Sequence, residues 1–143
     1  MKLYKALKLK KKLTGEIASL KLLILSKNSY VEGSKVNYVV TELYDELLVK
    51  INALVDLKMS INAANADIQE SIYNLAELKG MISFWQQMPT AEGVISNTYS
   101  EAAAKTYVAT FNEVFKDNLI KNLQTDVDTI QEEIDTYNYT KEV

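Results

Sequence analysis

The chain contains no cysteine and no histidine, and all 16 of its basic residues are lysine. Without cysteine there is no disulfide, no thiolate metal site and no Cys nucleophile. Without histidine it lacks the side chain that titrates nearest neutrality and is the commonest metal ligand. Without arginine there is no planar fork for bidentate recognition of carboxylate or phosphate. The lack of Arg beside 11 Asn and 9 Tyr matches the codon bias of an AT-rich genome, so lysine in place of arginine carries no chemical message of its own. Breakers are also scarce. Four glycines and one proline in 143 residues leave few turns and predict long helices. No apolar run reaches the roughly 18 residues of a membrane span.

What is present suits a single globular domain over residues 1–143: 48% of residues are hydrophobic and the net charge is only −3. That charge is unevenly spread. Residues 1–30 hold eight lysines against Glu16, a balance of +7, whereas residues 31–143 carry −10. The last 27 residues alone hold seven acids and two lysines. This pattern predicts pairing of a basic first helix with an acidic last helix, within or between chains, in preference to nucleic-acid binding. No stacking-aromatic pattern accompanies the lysines, and the nearby acids would repel phosphate. Lysines interrupt every apolar stretch before Leu22-Leu23-Ile24-Leu25, which does not read as a secretory signal, and a cytoplasmic location is expected.

Apolar residues recur every three or four positions in four stretches, the period of a helix with one buried face. Residues 2–27 carry Leu3, Ala6/Leu7, Leu13, Ile17, Leu20 and Ile24, while Leu9, Leu22, Leu23 and Leu25 fall off this stripe and suggest cover on a second side. Residues 28–37 read as a loop, with Ser34 or Asn37 able to cap the next helix. Residues 38–61 carry a second stripe and 66–87 a third; the short break at 62–65 predicts an antiparallel hairpin, with Asn65 as N-cap. Residues 88–100 form the longest irregular connection, 101–105 favour helix, and 106–111 alternate as a short extended piece. Asn112 can cap a last helix to about residue 137. The predicted class is all-α: four long helices in an antiparallel bundle, with an irregular or short extended segment between helices 3 and 4.

Catalysis has little support, since no Ser-His-Asp set, Cys-His set or glycine cradle exists. The protein is read as a non-enzyme without cofactor or metal. The acids Asp126, Asp128, Glu132 and Glu133 read as a solvated face. Binding chemistry is better represented. Asn62 and Asn65 offer amides that both donate and accept. Tyr99, Ser100 and Lys105 bring a phenol, a hydroxyl and an ammonium suited to a phosphate or carboxylate, and Tyr107 or Tyr139 adds a stacking face. Trp85, Phe111 and Phe115 read as core.

Several short elements occur in a characteristic order. They are Met1-Lys2-Leu3 with Ala6-Leu7, Leu13, Ile17 and Leu20; Val31-Glu32-Gly33; Ile61-Asn62-Ala63-Ala64-Asn65; Tyr99-Ser100; and the closing Asn138-Tyr139-Thr140-Lys141-Glu142-Val143. Together they resemble the septicolysin-like family of small bacterial and phage proteins over essentially the full length. Two positions depart from that pattern. The terminal aromatic is usually Trp and is Tyr139 here, and the Arg-rich stretch around Tyr99 retains only Lys105 as a nearby cation. The apolar residues off the main stripes, the Asn62/Asn65 element between helices and the irregular 88–111 segment point to a non-enzymatic, homo-oligomeric binding protein, and the resemblance to a family shared with phages gives that reading a concrete version. That version is a phage-type sponge for a small, anionic, nucleotide-like immune signal. Two alternatives are a structural or protein-interaction bundle, and a membrane-active lysin acting through residues 1–27.

Overall fold

The computed structural model describes the backbone of residues 1–97 and 100–143 and the side chains of residues 1–95 and 105–143. The protein is all-α, with four long helices and a short extended segment between the third and fourth. The helices are α1 (Leu3–Lys27), α2 (Val40–Asn65), α3 (Gln69–Gln86) and α4 (Glu113–Thr140); β1 (Gly93–Asn97) and β2 (Ser100–Tyr107) lie between α3 and α4. Contacts group the chain into two units. The first comprises residues 1–68 with 136–143, the second residues 69–135.

In the first unit α1 and α2 pack antiparallel. Leu3 and Ala6 meet Ile61 and Ala64 at one end, the Lys50 ammonium reaches the Glu16 carboxylate at 2.8 Å midway, and Lys27 lies over the Tyr38 ring beside the connecting loop. The predicted stripe is the packed face: Leu3, Ala6 and Ile17 are buried, and Leu7, Leu13, Leu20 and Ile24 are half-buried. The last turn of α4 completes the core. Tyr137 packs on the Leu3/Ile61 cluster and its hydroxyl donates to the Ala64 carbonyl at 2.7 Å. The ends of the chain then clasp. Lys2 and Glu142 form an antiparallel bridge, the Leu3 amide donates to the Lys141 carbonyl at 2.8 Å, and the Val143 amide donates to the Met1 carbonyl at 2.8 Å. These bonds satisfy backbone groups that a helix start and a chain end would otherwise leave to water.

The second unit holds α3 and the body of α4, also antiparallel. The Ser71 hydroxyl donates to Glu133 at 3.1 Å near one end, and the Lys116 ammonium donates to the carbonyls of Gln86 and Met88 at the other. Trp85 is the buried centre of an aromatic group, with Phe84, Phe111 and Phe115 centroids 5.1–5.9 Å away. Asn112 caps α4 as expected: its side-chain oxygen accepts the Phe115 amide at 2.8 Å. β1 and β2 pair antiparallel, with Gly93 opposite Tyr107 and Ile95 opposite Lys105. Gly93 has φ +83, a conformation that suits glycine because it lacks a Cβ.

Several expectations need correction. Residues 62–65 do not break the helix: they end α2, Ala66 keeps right-handed helical angles, and the turn falls at 66–68. Asn65 therefore closes α2 instead of capping α3; its carbonyl accepts the Ile68 amide at 3.0 Å. Neither Ser34 nor Asn37 caps α2. Val39 occupies that position without a side-chain bond, and Ser34 donates to the Val31 carbonyl. Residues 101–105 lie in β2, because cross-strand pairing overrides the helix preference of alanine. Phe111 and Phe115 pack on Trp85 but stay 42% and 47% exposed, so only Trp85 is core. Of the off-stripe leucines, Leu9 and Leu23 are half-buried but Leu22 and Leu25 are 69% and 77% exposed, so among the described residues nothing covers those two.

Candidate functional site

The two units differ in charge. The first holds twelve lysines against eight acids, net +4; the second holds four lysines against eleven acids, net −7. The pairing of the chain's basic start with its acidic end is present but local. Within the first unit the Met1 ammonium and the Lys2 side chain reach Glu142 at 3.0 and 2.6 Å, and Lys141 reaches Asp67 at 3.0 Å. The hydrogen bond from Lys2 holds the Glu142 carboxyl below the usual carboxylate range, and that from Lys141 does the same for Asp67. The Lys50 hydrogen bond lowers Glu16 likewise.

Because these carboxylates ionise more readily in the folded chain, their contribution is complete above the ordinary carboxylate pKa and is lost as pH falls through the folded values. Thermal melts at constant ionic strength are expected to show a midpoint that is level above about pH 5 and falls below about pH 4. In Glu142→Gln that acid-side fall is expected to be shallower; an unchanged slope would remove the clasp from the account.

Sequence-derived binding residues fall in both units. In the first, Asn62 is exposed on α2, Asn65 is half-buried at its end, and Tyr139 is exposed and packs on Tyr4 with centroids 4.7 Å apart. Among the described residues no side-chain hydrogen bond joins these three. In the second, Lys105 and Tyr107 are exposed and two residues apart on β2, so they project from the same side of the strand. A cation and an aromatic ring are thus brought side by side. Tyr99 lies outside the described residues. Ser100 opens β2 opposite Asn97, and its side chain lies outside the described set. Among the described residues no three carboxylates gather as a metal site requires, and no described helix is long and apolar enough to cross a membrane.

Two surfaces stand out that the stripes alone did not reveal. Between α3 and α4 runs an open groove of about 370 Å³, floored by Leu78, Met81 and Ile130 and edged by Glu77 and Asp126. Its clue in the sequence is Met81 and Phe84, apolar residues lying off the third stripe. On α2, Tyr44, Leu48, Val55 and Met59 are all at least 42% exposed at helical spacing, beside the face that packs on α1. No protein-family model matches the chain, and no curated protein or solved structure matches it significantly.

Proposed function

We propose that this chain is a non-enzymatic helical binding protein that works as an assembly of identical copies in the cytoplasm. One observation carries this reading. Large apolar side chains stand exposed at helical spacing on α1 (Leu22, Leu25) and α2 (Tyr44, Leu48, Val55, Met59) of the first unit and on α3 (Met81, Phe84) of the second, instead of being scattered. Light scattering of a chromatographed sample at micromolar concentration is expected to return at least twice the chain mass. A mass of one chain at every concentration up to about 100 μM would overturn the reading.

The finer form of the proposal is a small, anionic, nucleotide-like ligand. Lys105 and Tyr107 support it, offering an ammonium for a phosphate and a ring for a base on one side of β2. The acidic groove between α3 and α4 is the wrong place for such a ligand. Titration calorimetry with cyclic nucleotides and ADP-ribose-type compounds is expected to give heat that Lys105→Ala reduces with an affinity loss of about tenfold. Assembled protein giving no heat with any of them would leave a scaffold of copies as the function.

A further inference from the structure

The outer face of α1 carries an exposed pattern, whose first cation, Lys8, also lies 5.6 Å from the Tyr4 ring centroid. Lys8, Lys11, Gly15, Ala18, Leu22 and Leu25 are all exposed and follow one another at steps of three and four. This is the a/d spacing of a helix that packs along its length on a partner. The stripe has a polarity, with cations at its start, small residues in the middle and leucines at its end. An added Cβ at Gly15 would meet nothing within 4 Å, so that position is open to a close approach from outside.

The groove between α3 and α4 has the complementary polarity. On α3, Glu77, Met81 and Phe84 share one face, at i, i+4 and i+7. On α4, Glu133 and Asp126 share a face with Phe115, seven and eleven residues apart. The groove itself holds Glu77 and Asp126 beside Leu78, Met81 and Ile130; along the helices Glu133 lies beyond one end of it and the exposed Phe84 and Phe115 beyond the other. At 1.5 Å per residue, Lys8 to Leu25 spans about 26 Å, and Phe115 to Glu133 about 27 Å.

We propose that the outer face of α1 from one copy docks in the α3/α4 groove of another, with its lysine end on Glu77, Asp126 and Glu133 and its leucine end on Met81, Phe84 and Phe115. Gly15 and Ala18 let the helix settle on the Leu78–Ile130 floor. A second copy is the occupant that both matched features select: it brings a basic unit of +4 to an acidic unit of −7, and it brings a stripe of matching length. This assignment rests on the self-association reading and names the surfaces that carry it.

The test is a reciprocal charge swap on the full chain, read by sedimentation velocity and by circular dichroism for folding. Lys8→Glu with Lys11→Glu is expected to weaken assembly by roughly tenfold or more, and so is Glu77→Lys with Asp126→Lys. All four positions are exposed, so helicity is expected to be unchanged. Mixing the two double variants, or combining the four substitutions in one chain, is expected to restore assembly. Wild-type assembly is expected to weaken between 0.05 and 0.5 M salt, as the screening length shortens from about 14 Å to about 4 Å. An assembly that both double variants leave intact would overturn this interface and leave self-association standing. A wild-type monomer would remove both.

Discussion

Leu3→Ala is expected to be among the most damaging single truncations in the chain, at about 2–5 kcal/mol. Leu3 has no accessible surface at all and is the only large side chain so completely enclosed among the described residues. It sits where α1, the end of α2 and the last turn of α4 meet, against Ala6, Ile61 and Ala64. Ala6 and Ala64 allow the helices to approach closely, and Leu7, Leu57 and Tyr137 pack around the cluster, so how far these neighbours relax sets where in that range the loss falls. At this chain length the loss corresponds to a thermal midpoint lower by roughly 6–15 °C. The Leu3 amide keeps its bond to the Lys141 carbonyl in this variant, so the loss falls on the packing of Tyr137 against the cluster. Val31→Ala, in an exposed loop, is the control, with an expected change within about 0.5 kcal/mol. Equal midpoints for the two variants would show that the Leu3 cluster is not the core.

Trp85→Ala is expected to cost about 3–5 kcal/mol and to uncouple the second unit's aromatic group. The indole is buried, while its neighbours Phe111 and Phe115 remain partly open, so it is the piece on which they rest. Phe111 and Phe115 also stack on one another with centroids 5.1 Å apart, and that pair alone has little apolar cover. Removing the indole deletes the edge-to-face contact with Phe111 and the tilted contact with Phe115 at once. As the sole tryptophan, Trp85 makes the readout direct. Wild-type emission is expected to be blue-shifted and to move red on urea unfolding. Trp85→Phe is expected to keep most of the stability that Trp85→Ala loses. Emission already at the wavelength of free indole in the folded protein would contradict burial.

Helical periodicity made the four rods legible, because a buried face imposes its spacing on every turn. The Leu3–Ile24 stripe and the Asn112 cap lie where the sequence placed them. The joints were less legible. Asn62-Ala63-Ala64-Asn65 holds capping types, but Ala63 and Ala64 support helix just as well, and burial of Ala64 under Tyr137 resolves the choice in favour of α2. The helix-favouring residues 101–105 yielded to pairing with β1, a contact that no local window contains. The clasp between Lys2 and Glu142 joins residues 140 apart and has no sequence signature. Lys105 and Tyr107 were named one by one; their common side of β2 is a consequence of strand geometry. Leu22 and Leu25 read as a second covered side of α1, but among the described residues nothing covers them, because an apolar type off the stripe does not say what lies against it.

The split of charge between the two units has a consequence for the conditions this protein can sense. Between about pH 5.5 and 9 none of its side-chain types crosses its ordinary pKa. Mild acidification switches an interface that bears histidine, and this chain has none. Dissolved ions are the remaining control, and they act on every lysine and carboxylate together. An assembly resting on these two charge patterns is therefore expected to follow the saltiness of its surroundings.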